Sequence, residues 1–159
     1  MENNEVKKTI RRKEGSVARV DLGAAHGSAL AVVLTSPSFA IFDERGRDPC
    51  SFEWLSTATP MFFVAVDNYA ITGGHWPIVE KGPIDTSRLQ VPPKFMQDSQ
   101  RPERIQIYEK GSFRPSTREE VRSLELEALA VWSPDQVEDR IRDAYNGLEN
   151  KWLSQLKML

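Results

Sequence analysis

Long apolar runs are missing from this chain of 159 residues. The longest, Ser28 to Leu34 and Met61 to Val66, fall far short of the roughly 20 residues that a membrane-crossing helix needs, so no membrane span is expected. Cysteine is nearly absent. Cys50 stands alone and excludes an intramolecular disulfide, which agrees with a reducing compartment. The N-terminal stretch Met1 to Lys13 is basic toward its end but has no apolar segment behind it, the wrong pattern for a secretory signal. A cytoplasmic location is expected. A large excess of either charge is missing too: a net charge of -2 and a pI near 5.8 argue against a protein whose main task is gripping nucleic-acid backbone.

Residue sets that carry familiar chemistries are equally scarce. No Gly-x-Ser-x-Gly elbow, Walker sequence or His-Glu-x-x-His occurs. His26 and His75 lie in glycine-containing turns without the closely spaced partners of a zinc site, so no metal ion is expected. Gly73-Gly74, and Gly23 with Gly27, do not open a helix as a phosphate-cradling loop does and are read as turns. Cys50 sits in a charged loop with no surrounding signature; it pairs formally with His75 as a nucleophile, but an inert cysteine is the simpler reading. An enzyme would have to rest on His75 with Asp67 or Glu80. Neither a catalytic residue nor a cofactor is assigned, and a non-enzymatic protein is expected.

What is present is an ordinary globular composition, 40% hydrophobic and 28% charged, of a length that suits one domain. The chain is organised around Pro60 to Val79. Met61 to Val66 is apolar at every position, which predicts a central strand dry on both faces. Asp67 and Asn68 supply a turn, Tyr69 to Thr72 extends again, and Gly73-Gly74 allows a bend before Trp76. Upstream, Ser16 to Leu22, Ser28 to Thr35 and Phe39 to Phe42 read as strands joined by short loops, hence an antiparallel meander. Downstream, Lys81 to Glu103 contains Pro83, Pro92, Pro93 and Pro102 and is expected to wrap the surface, pinned by Leu89, Val91, Phe95 and Met96. Arg104 to Glu109 alternates strictly and is predicted to be the last strand.

The period then changes. Ser116-Thr117 ahead of Glu119-Glu120 signals a helix start, with Val121, Leu124 and Ala128 along one face. Ser133-Pro134-Asp135-Gln136 is a stronger one: a capping serine, proline at the first helical position, glutamine three after the serine. That helix should present Val137, Ile141 and Tyr145 and stop at Asn146-Gly147. Leu148, Trp152, Leu156 and Leu159 predict a final amphipathic helix. Strands first and helices last give an α+β fold, an antiparallel sheet built mostly from the N-terminal two-thirds and covered by C-terminal helices. The expected organisation is a flexible basic arm over 1–13 and a single domain over 14–159.

Two features bear on function. The helical region is acidic, with Glu119, Glu120, Glu125, Glu127, Asp135, Glu138 and Asp139 as candidate partner-binding residues: a negative face of this kind steers a basic partner, whereas the plainer reading is a solvated helix surface. Trp76 is read as a core anchor, although tryptophan also serves as an interface hot spot. The arm, Lys7 to Lys13, has no aromatic residues interleaved to stack bases, so nucleic acid is not expected as a partner.

The order and spacing of several short motifs resemble a known family. These are Gly15-Ser16-Val17-Ala18-Arg19-Val20-Asp21-Leu22, the run through Gly27 into Ala29 to Leu34, Gly74-His75-Trp76-Pro77-Ile78-Val79, Pro92-Pro93-Lys94-Phe95, Ile105-Gln106-Ile107-Tyr108 and Leu124-Glu125-Leu126-Glu127. Together they resemble the bacterial immunity protein 26 family of polymorphic toxin systems, over roughly Lys13 to Gly147. The resemblance implies an α+β fold with a characteristic tryptophan, carried here onto Trp76. It also implies a cytoplasmic protein that binds and neutralises a cognate toxin by occluding its active site. Acidic side chains would then meet a basic cleft if the toxin is a nuclease. The alternative expectation is a small sheet module that binds nucleic acid or protein without a toxin partner.

Overall fold

The computed structural model describes residues 10–159; residues 1–9 of the basic arm lie outside them. At the end of that arm Arg12 is tied to the sheet. Its guanidinium donates to the carbonyls of Leu34 and Ser38 at 2.8 and 2.7 Å and lies over the Phe39 ring.

The predicted meander forms as β1 (Val17–Asp21), β2 (Ser28–Val33) and β3 (Ser38–Asp43), antiparallel throughout, with Val17 opposite Val32 and Ala29 opposite Asp43. β4 (Phe62–Val66) adds to β3, β5 (Ile78–Glu80) pairs with β1, and β10 (Val131–Trp132) lies parallel to β4. The order β10-β4-β3-β2-β1-β5 puts β4 next to the edge rather than at the centre. Its apolar run is still explained, because Phe62 packs on one face of the sheet and Phe63 on the other. The centre belongs to β2 and β3, whose residues Ala29 to Val33 and Phe39 to Phe42 are fully buried.

Alternation sorts these side chains into two layers. One face carries Ala18, Val20, Ala31, Val33, Phe39 and Ile41 and is covered by Trp76, Trp132 and α3 (Pro134–Tyr145), which contributes Val137 and Ile141. The other carries Val17, Leu30, Val32, Ala40 and Phe42 and is covered by Leu55, from the 3-10 turn Glu53–Ser56, and by Leu89. The wrap is anchored by a close approach of two glycines. Gly82 (φ 58°) and Gly15 (φ 86°) touch backbone to backbone: a Cβ on Gly82 would sit 2.7 Å from the Gly15 carbonyl oxygen, and one on Gly15 2.9 Å from Pro83 Cβ. Neither position accepts a side chain.

A second sheet was not expected from the sequence. β6 (Lys94–Gln97), β7 (Ile105–Glu109), β8 (Ser112–Ser116) and β9 (Glu127–Ala128) stand in the order β8-β7-β6-β9, so Arg104 to Glu109 does not hold the last strand and the expected surface wrap contains one. Of the wrap's expected pins, Leu89 and Phe95 are buried while Val91 and Met96 are exposed. The inner face, Phe95, Ile105 and Ile107, packs with Val121 of α2 (Arg118–Ser123) into a third core.

The helices agree with the capping signals better than with the apolar ones. Thr117 accepts from the Glu120 amide, and Ser133 and Gln136 make the reciprocal capping box with Pro134 at the first helical position. α2 ends before Leu124, which is exposed, and Ala128 belongs to β9. The final helix shrinks to α4 (Lys151–Gln155), with Trp152 and Leu156 packed on the main core and Leu148 and Leu159 exposed. Tyr69–Thr72 is one helical turn, α1, rather than an extension: Asn68 accepts from both the amide and the hydroxyl of Thr72, so the turn begun at Asp67 continues. The fold is α+β, with its helices mostly C-terminal. No helix among the described residues is long and apolar enough to cross a membrane.

Candidate functional site

Trp76 is where the main layers meet. It is 1% exposed, its ring meets Phe39 of β3 edge-on at 5.7 Å, and its amide donates to Ala70 of α1. Its indole N–H donates at 3.2 Å to Glu138 of α3. On the next residue of the helix, Asp139 accepts from the indole of Trp152 at 3.2 Å and from Arg142 at 3.0 Å. Consecutive acids on α3 thus hold two tryptophans that lie far apart in the chain. For Asp139, burial opposes ionisation, but the bonds from Arg142 and Trp152 outweigh it and lower its pKa.

Glu127 occupies the junction of the two sheets. Its carboxylate takes both ends of the Arg140 guanidinium, at 3.0 and 2.8 Å, and lies 3.7 Å from the Lys94 ammonium. Arg140 is buried, stacked over Phe62 at 3.8 Å and near Trp132 at 5.2 Å. Burial lowers the pKa of Lys94, with the charge of Glu127 opposing that. For Glu127 itself burial acts upward, but the Arg140 hydrogen bonds and charge win, and the pKa is lowered. A carboxylate with a lowered folded-state pKa contributes stability that is present above its ordinary value and is lost as pH falls through the folded one. Urea midpoints measured between pH 7 and pH 4 should therefore fall more steeply in the wild-type chain than in a Glu127→Gln variant. Equal slopes would remove Glu127 from the acid response.

The acidic residues named from the sequence do not gather on one free face. Glu120 is tied to Arg114 at 2.7 Å and to the Ser116 hydroxyl, and those two bonds lower its pKa. Glu127, Glu138 and Asp139 point into the contacts just described. Glu119, Glu125 and Asp135 remain exposed. Asp135 and Glu138 are brought to His75, whose Nε2 lies 3.6 and 3.0 Å from their oxygens; Asp67 and Glu80, the partners considered for it from the sequence, are not among its ion-pair partners within the described residues.

A different surface is left open. Pairing places Lys94 opposite Tyr108, Met96 opposite Gln106, Pro115 opposite Gln106 and Phe113 opposite Tyr108, so all six residues share the outer face of the small sheet. Among the described residues no core cluster covers it, although at one end Lys94 is turned in toward Glu127. Met96, Phe113 and Pro115 are exposed, and the Tyr108 and Phe113 rings lie 4.9 Å apart. The strict alternation of Arg104 to Glu109 already put Gln106 and Tyr108 on one face. Phe113 gave no signal, because β8 is polar, contains a proline and is exposed almost along its length. Proline suits it, since β8 is an edge strand.

Comparison of the chain with protein-family models, with curated proteins and with solved structures returned no match.

Proposed function

We propose that this chain is an immunity protein: it binds a cognate bacterial toxin in the cytoplasm and neutralises it by covering its active site, without chemistry of its own. The observation that carries this reading is the open outer face of the small sheet. Methionine, tyrosine and phenylalanine are among the residues that enrich interface centres, and here Tyr108 and Phe113 stand opposite each other, with Met96 on the same face of the neighbouring strand, diagonal to Tyr108. Strands hold their side chains with little freedom left to lose on binding, which favours a preformed contact surface. The resemblance described above supplies the partner class. The exposed acids Glu119, Glu125 and Asp135, although not gathered on one face, add negative charge suited to steering a basic toxin, as a nuclease built for phosphates would be.

Co-expression of the chain with the products of its neighbouring genes tests this. The wild type should capture one toxin domain and restore growth. Phe113→Asp, at a half-exposed edge position that no core uses, should stay folded by circular dichroism yet lose capture and rescue. If Phe113→Asp rescues fully while reversal of Glu119, Glu125 and Asp135 does not, the contact surface lies on the acids instead. Copurification of nucleic acid in place of a toxin, with retention on a polyphosphate matrix falling steeply with salt, would replace the immunity reading by that of a nucleic-acid module.

A further inference from the structure

We propose that His75, Asp135 and Glu138 form a divalent metal site of the zinc type, with three protein ligands and a fourth position open to solvent. The donor atoms of the three residues lie within 4.8 Å of one another. Two edges of this triangle are given directly: His75 Nε2 to Glu138 Oε2 is 3.0 Å and His75 Nε2 to Asp135 Oδ1 is 3.6 Å. Bonds of about 2.0–2.2 Å to nitrogen and oxygen in a tetrahedral arrangement separate neighbouring donors by roughly 3.4 Å. The two edges bracket that spacing and the third is no longer than 4.8 Å, so an ion at the centre requires His75 and Glu138 to part slightly and Asp135 to turn inward.

The surroundings hold the donors independently of any ion. Asp135 and Glu138 stand three apart across the first two turns of α3, a spacing that places them side by side on one face. His75 comes from the distant α1–β5 connection, fixed between the Gly73-Gly74 bend and the buried Trp76. The Trp76 indole donates to the same Glu138 oxygen that faces His75, the kind of outer hydrogen bond that orients a metal-binding carboxylate. Tyr69 meets the His75 ring edge-on at 6.4 Å. Two carboxylates directed at one imidazole repel each other, and a dication between them turns that repulsion into attraction. One imidazole nitrogen with two carboxylate oxygens suits zinc and its neighbours in the first transition row, and disfavours magnesium and calcium, which take all-oxygen sets. An ion here would clip the segment carrying Trp76 to α3.

The site has no residue on the sheet face that carries the immunity reading and shares only Asp135 with the acids invoked there, so zinc binding and toxin capture are read by separate experiments. Isothermal titration calorimetry of the full chain with zinc alone, at neutral pH and in a Cys50→Ser background that removes the exposed thiol, provides the test. One ion should bind. Asp135→Asn alters a side chain 80% exposed and should leave the circular dichroism spectrum unchanged while weakening binding at least about tenfold. His75→Gln should do the same. In nitrogen-detected NMR of the imidazoles, zinc should move the His75 ring signals and leave those of His26 in place. Absence of binding, unchanged affinity in Asp135→Asn, or a response confined to His26 would overturn the proposal.

Discussion

Trp76→Ala should lower the unfolding free energy by about 3–5 kcal/mol, the cost of removing a large aromatic side chain from a close-packed core. The cavity would open between β3, α1 and α3, against Phe39 and Ala70, and none of these elements can collapse into it without dragging its own layer. A second loss follows at Glu138, which keeps His75 as a neighbour but loses the indole donor. Trp76→Phe separates the two terms: it keeps most of the apolar volume and forfeits the hydrogen bond, and should cost less than half as much. Equilibrium denaturation in urea, followed by far-ultraviolet circular dichroism so that the lost fluorophore does not matter, reads both. A penalty below about 1 kcal/mol for the alanine variant would mean that Trp76 is not the anchor of the main core.

Arg19→Ala should cost about 3 kcal/mol, for a reason opposite to that of Trp76. Glu44 is a carboxylate only 7% exposed, held by Arg19 through Nε at 2.9 Å and Nη2 at 3.2 Å, and by the Ser28 hydroxyl. Removing the guanidinium leaves a buried charge with a single neutral partner, a situation worth about 3–5 kcal/mol. Arg19 is 26% exposed, so water can follow the truncation inward and the cost falls at the low end. The same guanidinium donates to the Pro49 carbonyl at 2.8 Å and ties the loop after β3 to the sheet. Limited proteolysis should therefore cut Arg19→Ala within the loop spanning residues 45–51 before it cuts elsewhere. The double variant Arg19→Ala, Glu44→Gln should recover part of the lost stability, because the penalty lies in the stranded charge rather than in the missing attraction. A double variant less stable than Arg19→Ala alone would show that the pair itself is the stabilising unit.

The sequence was most legible where a local rule acts within a few residues. The meander follows from its short connections, and the Ser133 capping box and the stop at Asn146-Gly147 follow from cap chemistry that needs no tertiary partner. The position of β4 was misread because an apolar run reports dryness on both faces, and a strand next to the edge achieves that when the wrap and α3 cover it from either side. The small sheet was invisible for a different reason. β9 is two residues long, too short for any periodicity, and β8 has no dry face. Trp76 was correctly placed in the core, yet its bond to Glu138 spans sixty-two positions and no local pattern announces it. For the same reason the acids of α3 read as a solvated face when two of them, Glu138 and Asp139, are committed to tryptophans. His75 was set aside as a metal ligand because its companions are distant in sequence.

The short strands β9 and β10 lie almost adjacent in the chain, and each completes a different sheet by a parallel pairing, β9 with β6 and β10 with β4. During synthesis neither sheet can close until residues 127–132 have left the ribosome, and α3, which seals the main apolar face, emerges later still. The meander therefore waits with one face bare and the flank of β4 unpaired, a state open to mispairing with other chains. When the segment arrives it can complete both sheets together, so their closure is shared rather than taken sheet by sheet, and the docking of α3 on the main apolar face follows it.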